Sequence, residues 1–205
     1  VRSEFEREYV NKCLDIPLNK IKIVPLSIRT PFIDYFPEKE KFCFHSSRLA
    51  AKNKNVERLI NAAKKYKFEL VLAGFLNGDK ERDWLENLIS GYDNISYVGL
   101  LSEEDLIKYY QKAKVFALPS TNEGVGMVAL EAASYGCEIV LTNIDAPKYY
   151  YKGRAYLVDP YNVDDIGLKI LEAMEHGDKQ PELKSFVEKE YSLEKCSRLL
   201  HDALL

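Results

Sequence analysis

VFALPSTNEGVGMVALEAASYGCEIVLT, residues 115–142, decides the architecture. VFALP (115–119) is a short, wholly apolar run of strand length, and EIVLT (138–142) holds a second apolar run, Ile139–Leu141, between Glu138 and Thr142. Between them Gly124 and Gly126 mark a loop, Met127–Tyr135 reads as a helix of small and apolar residues, and Gly136 ends it. Two continuous apolar strands joined through a helix form a crossover, so they run parallel and are buried on both faces. The same unit recurs on either side. Upstream are strands FCFH (42–45), ELVLAGF (69–75) and NISYVG (94–99), with helices over Asn55–Tyr66, around Lys80–Ser90, and from a Ser102 cap onward. Downstream are a strand AYLV (155–158), a helix capped by Asn162 and running to about His176, and a helical tail, Glu182–Leu205, broken near Tyr191. This alternation predicts the α/β class, a doubly wound parallel sheet with helices on both faces.

The first forty residues differ. A helix over about 3–14 and a strand NKIKIVPL (19–26) lead into IRTPFIDYFPEKEK, whose prolines and crowded charges read as a linker. A lone helix and strand before a linker are expected to be the edge of a preceding domain, and a first residue Val1 suggests a cut or processed chain.

With 205 residues, 46% of them hydrophobic, the chain is long enough to bury a core without disulfides or metal. A charge of 29 − 32 = −3 removes the electrostatic case for general nucleic-acid binding. The charged start VRSEFEREYV is no signal peptide, and no apolar run approaches the ~20 residues of a membrane helix. Cys13, Cys43, Cys137 and Cys196 form no C-x-x-C pair and read as reduced, mostly buried thiols. His45, His176 and His201 are equally scattered, and no metal site is predicted.

In a doubly wound sheet, ligands bind beyond the C-terminal ends of the strands. Two clusters fall there. In HSSRLAAKNKN (45–55), Arg48 offers a planar fork of donors and Lys54 a point charge, both suited to a diphosphate, although either taken singly reads better as a solvated loop charge. In LPSTNEGVGMVALEAASYG (118–136), the two glycines allow close backbone approach, and the helix start directs free N–H groups at the loop. Glu123 and Glu131 stand eight positions apart. Carboxylates accept hydrogen bonds only, so vicinal hydroxyls suit them. Glu131 lies among Val128, Ala129, Leu130, Ala132 and Ala133, so it should be buried and should have a partner.

The run EGVGMVALE preceded by LPS resembles the E-x7-E motif of retaining glycosyltransferases of the GT-B fold, family 4 (glycosyl transferases group 1). The likeness extends over about 41–205, through RL…KN, ELVLAG, NISYVGLL, VFALPS and LVDPYNVDDI, and IKIVPL resembles the segment that closes the family's N-terminal domain. It implies that 41–205 is the C-terminal, nucleotide-sugar-binding Rossmann-like domain, one half of a two-domain enzyme, with 1–40 the remnant of the N-terminal domain plus linker. By that resemblance Arg48 and Lys54 hold the diphosphate and stabilise the leaving group. Backbone N–H groups of Gly124, Val125 and Gly126 help to bind phosphate and sugar. Glu131 holds the ribose and Glu123 the donor-sugar hydroxyls. Val98, Gly99 and Leu100 lie against the base, with Ser120 and Asn122 at the rim.

The resemblance further implies a hexosyltransferase with a nucleoside-diphosphate sugar as donor and no metal or other cofactor. The acceptor is a saccharide or lipid-linked molecule held by the N-terminal domain, in polysaccharide or glycolipid biosynthesis. The expected place is the cytoplasm, with the inner face of the membrane open to the full enzyme as a peripheral site. Two departures stand out: Glu138 occupies a position where the family commonly has Pro, and Asn143–Lys148 lacks its G-G…E run.

Three rival readings fit parts of the sequence. Gly124–Ala129 matches the G-x-G-x-x-A of NAD-dependent oxidoreductases, with Asp145 as the ribose acid. That fingerprint belongs directly after the first strand of its domain, and it leaves Arg48, Lys54 and the two carboxylates without roles. A non-enzymatic nucleotide-binding module of the same fold is the second, and a sugar-nucleotide epimerase the third. Tyr149–Tyr151 with Lys148, Lys152 and Arg154 reads as loop aromatics in a solvated basic patch, the other reading being contact with an acceptor or a membrane surface.

Overall fold

The computed structural model describes every residue except Lys152, and the backbone alone of Asp145. Six parallel strands form one sheet: β1 (Glu40–Arg48), β2 (Leu70–Phe75), β3 (Ile95–Tyr97), β4 (Ala113–Leu118), β5 (Glu138–Thr142) and β6 (Tyr156–Val158), in the order β3-β2-β1-β4-β5-β6. The order reverses between β1 and β4. Their C-terminal ends therefore open the crevice in which ligands of such sheets sit.

One face is covered by α2 (Val56–Tyr66), α3 (Gly78–Ile89) and α7 (Val163–His176), the other by α4 (Glu103–Lys112), α5 (Met127–Ser134) and α8 (Glu182–Glu190). Successive strand residues serve opposite faces. Val115 and Ala117 of β4 join the core under α2 and α7, while Phe116 and Leu118 join the core under α4 and α5. This is why the strands read as unbroken apolar runs. Ser102 caps α4 by accepting from Asp105 N at 3.1 Å, and Asn162 caps α7 by accepting from Asp164 N and Asp165 N. Cys43, Cys137 and Cys196 are buried free thiols and Cys13 is exposed.

Three expectations need correction. α1 (Glu4–Leu14) forms, but residues 19–26 make no strand: a single 3-10 turn at Leu18–Lys20 is followed by chain that stays outside the sheet and bonds Val1, with Val24 N donating to Val1 O at 2.7 Å and the Val1 ammonium to Lys22 O at 3.0 Å. Pro17 and Pro25 lack the N–H groups that a ladder requires. Ser46–Arg48 is not loop but the end of a longer β1, paired residue by residue with Ala73–Phe75. The tyrosine cluster is not loop either, because Tyr149, Tyr150 and Tyr151 lie on a short helix, α6 (Asp145–Tyr151), and the last two are buried. Lys152, read with that patch, lies outside the described residues.

The segment after residue 27 is held against the sheet domain. Ile28 N donates to Tyr191 O, Tyr135 Oη donates to Pro31 O at 2.7 Å, and the partly buried Lys39 ammonium donates to Tyr110 O, Gln111 O and Tyr135 O. The tail forms α8 and α9 (Leu193–Leu204), with the expected break at Tyr191. Glu138 opens β5, at the far end of the sheet from the crevice, and Oε1 of its buried carboxylate accepts from Lys179 N and Gln180 N. It serves the turn before α8 rather than the ligand side. No helix among the described residues is long and apolar enough to cross a membrane.

Candidate functional site

β1 runs out at Arg48 into a 3-10 turn, Lys52–Lys54, that ends on Asn55 in the left-handed region (φ 60°). Asn55 is tied down on all sides. Its Nδ2 donates to Pro119 O at 2.8 Å and Pro160 O at 2.6 Å, and its Oδ1 accepts from Arg58. The turn is stitched to the loop after β4, since Thr121 N donates to Asn53 O at 2.8 Å and Asn53 Nδ2 to Asn122 O at 3.4 Å. The two loops flanking the switch point thus form one rigid unit.

Lys54 and Glu123 meet across it. Lys54 Nζ donates to Glu123 Oε2 at 2.8 Å, and Ser120 Oγ donates to the same oxygen at 3.2 Å. The two side chains are 24% and 12% exposed, so solvent screens this pair less than a surface ion pair. Gly124 N faces Glu123 Oε1 at 3.3 Å. Gly126 caps α5 with φ +68°, a left-handed conformation that L side chains rarely adopt. Its carbonyl accepts from Tyr151 Oη at 3.2 Å, so the unforeseen α6 braces the glycine turn from below.

Glu131 fulfils its expectation. Its side chain is 3% exposed, and the guanidinium of Arg29, 77% exposed, donates Nε to Oε1 at 3.3 Å. Burial holds the Glu131 carboxyl above the usual carboxylate range, and Arg29 offsets this only in part. A buried acceptor with one long bond keeps capacity for further donors. Arg29 was missed by sequence reasoning because it lies 102 positions away in a segment read as linker. The signal that could have found it is the demand of a buried carboxylate for a cation.

The remaining candidates are placed separately. Arg48 is exposed at the end of β1 and is not bonded into the Lys54–Glu123 cluster. Val98 packs partly buried against the core, Gly99 O accepts from Gly74 N at 2.8 Å, and Leu100 is 71% exposed over the ends of β2 and β3. Val125 is buried beneath the glycine turn. Among the described residues no cluster of His, Cys, Asp or Glu is placed to hold a metal ion.

Below the pair lies a buried histidine. His45 Nδ1 is 2.7 Å from Ala117 O, an acceptor only, so Nδ1 carries the proton and Nε2 accepts from Ser47 Oγ at 2.7 Å. Burial pulls the pKa of this imidazole down to about 4. The unfolded chain takes up that proton near pH 6.5 and the native chain does not. Stability contributed here is therefore complete above about pH 6.5 and falls by about 3 kcal/mol as the pH drops to about 4. Urea melts at pH 7 and pH 4 should show that loss in the native chain and a smaller one in His45→Asn, whose amide can still donate to Ala117 O.

The glycosyl transferases group 1 family model matches residues 29–190. The chain belongs to that family. This group 1 chain is 25% identical over 191 residues to O-antigen chain mannosyltransferase B of Escherichia coli, covering 84% of the chain and 50% of that protein. It is 32% identical over 162 residues to the GtfA subunit of a UDP-N-acetylglucosamine–peptide N-acetylglucosaminyltransferase from Limosilactobacillus reuteri subsp. suis, covering 72% of the chain and 30% of that subunit. It spans half or less of these relatives' length. All of the group 1 chain superposes on part of TarM (TM-score 0.79, 18% identity, 42% of that chain). It likewise superposes on part of sucrose-phosphate synthase from Thermosynechococcus elongatus (TM-score 0.82, 19% identity, 56% of that chain). At those identities the likeness concerns the fold, which is the Rossmann-like one expected. Family membership displaces the oxidoreductase reading of Gly124–Ala129; the Asp145 side chain it invoked lies outside what is described.

Proposed function

We propose that the chain binds the nucleoside-diphosphate sugar of a retaining hexosyltransferase that acts in polysaccharide or glycolipid biosynthesis. The observation that carries this reading is the Lys54–Glu123 contact at the β1/β4 switch point, with Gly124–Gly126 and the start of α5 beside it. Lys54 and the exposed Arg48 neutralise the diphosphate as the bond from its oxygen to the sugar C1 breaks. Backbone N–H groups of the glycine turn add fixed dipoles aimed at the same charge. Glu123 accepts from hydroxyls of the donor sugar, and Glu131 exchanges its long Arg29 bond for the ribose diol. With the basic pair in that role, catalysis needs no metal ion.

The acceptor, a saccharide or lipid-linked molecule, is assigned to the part of such proteins that this chain does not span. The chain alone then binds donor without transferring sugar, and the full enzyme works in the cytoplasm or at the inner face of the membrane. Calorimetric titration with UDP, GDP, ADP, dTDP and NAD tests the reading. One diphosphate should bind, at least about tenfold more weakly in Glu131→Ala and in Arg48→Ala, the loss of one charge-assisted contact. Binding of NAD with none of the diphosphates overturns it.

A further inference from the structure

A concavity of about 420 Å³ lies beyond the ends of β2 and β3, lined by Gly74, Phe75, Leu76, Arg82, Tyr97 and Leu100. Its walls are apolar. Phe75 and Leu100 stand 46% and 71% exposed on either side of it. Its polar atoms are mostly committed: Tyr97 Oη donates to Gly74 O at 2.9 Å, and Gly74 N donates to Gly99 O at 2.8 Å. The floor is fixed because Gly74 sits directly against the backbone of Ser47 in β1. What remains is Arg82, in the second turn of α3, the one charged side chain among these six and exposed to solvent.

A nucleotide whose diphosphate lies between β1 and β4 must lay its nucleoside along the strand ends. On the β2/β3 side this pocket offers two apolar walls at the rim and a single polar reader, which is what a flat base with a hydrogen-bonding edge requires. A guanidinium has five donors and no acceptor, in a planar fork. It fits an edge that presents two acceptors side by side. Guanine does so with O6 and N7, whereas adenine sets an N6–H donor beside N7. Uracil places an N–H between its two carbonyls. Cytosine also sets two acceptors side by side, N3 and O2 on its Watson–Crick edge, but O2 neighbours the glycosidic nitrogen, so a fork reading that pair must approach close to the ribose.

We infer that Arg82 reads the base edge in this pocket and selects a guanosine-diphosphate sugar as donor. This inference rests on the donor-site reading above and adds the identity of the base and the residue that chooses it. Arg82 is exposed and bonds no structural element, so its removal leaves the fold intact, which a thermal melt will verify.

The experiment is titration of the chain with GDP, UDP, CDP and ADP, repeated for Arg82→Ala and Arg82→Lys. GDP should bind at least about tenfold more tightly than the others. Arg82→Ala should weaken GDP by about ten- to hundredfold and the other three by less than about threefold, and Arg82→Lys should not restore the preference, because an ammonium has no fork. A native preference for another base, an unchanged GDP affinity in Arg82→Ala, or an equal loss for all four overturns the role of Arg82 while leaving the donor site standing. A chain that binds none of the four overturns both readings.

Discussion

Gly74→Ala is expected to cost roughly 2–6 kcal/mol of folding stability and to abolish nucleotide binding in whatever fraction still folds. The magnitude joins two terms. Gly74 has φ +139°, outside the range that side-chain-bearing residues tolerate, and strain of that kind costs about 1–3 kcal/mol. A Cβ at this position would also lie 1.7 Å from Ser47 O, so the chain must move, and overpacking adds about 1–3 kcal/mol more. The movement cannot stay local. Ser47 and Gly74 are register partners, Arg48 follows in β1, and the Lys52–Lys54 turn comes next. Pushing β1 from β2 therefore displaces the turn proposed to bind the diphosphate at the same time. Gly91→Ala is the control: its φ is +78° but its surroundings are open, so it should cost only about 1–2 kcal/mol and leave binding unchanged. Urea denaturation of both variants, with a nucleotide titration of each, separates the outcomes. Equal stabilities would mean that the close approach at Gly74 does not hold the strand ends in place.

The strand–helix alternation was readable because burial on both faces of a parallel sheet leaves an unbroken apolar run in VFALP and in the Ile139–Leu141 stretch of EIVLT. The glycine turn and the carboxylate pair were readable as candidates because such residue types have few other uses in such a loop. What escaped is what depends on distant contacts. β1 looked four residues long because Ser46, Ser47 and Arg48 are polar, yet the ladder to β2 carries them onward. The α6 segment, DAPKYYY, has no helical apolar stripe; it is held by Tyr150 Oη donating to Arg2 O and Tyr151 Oη donating to Gly126 O, from partners 148 and 25 positions away. NKIKIVPL alternates as a strand should, but alternation describes one face only and cannot supply the neighbouring strand. Arg29 belongs to the same class: the need for a cation at Glu131 was legible, its identity was not.

Lys54→Ala is expected to weaken nucleoside-diphosphate binding by about a hundredfold, near 3 kcal/mol, the largest loss from any single side chain of the site. Lys54 is held between two loops that cross-link each other, so its ammonium is already oriented and little ordering entropy is lost when an anion arrives. A variant of its counterion, Glu123, separates the proposed phosphate role from the proposed sugar role. In Glu123→Gln the lysine loses a competitor, so free diphosphate should bind as tightly as before or more tightly, while the matching nucleotide sugar loses the carboxylate that accepts from its hydroxyls. In Lys54→Ala both ligands should weaken together, and Glu123 keeps only Ser120 Oγ and Gly124 N as donors, so some stability is lost as well. Raising the salt concentration should narrow the difference between native and Lys54→Ala affinities only modestly, because a pair 24% and 12% exposed is screened less than a surface contact. Unchanged diphosphate affinity in Lys54→Ala would show that the contact to Glu123 joins the two loops and does nothing else.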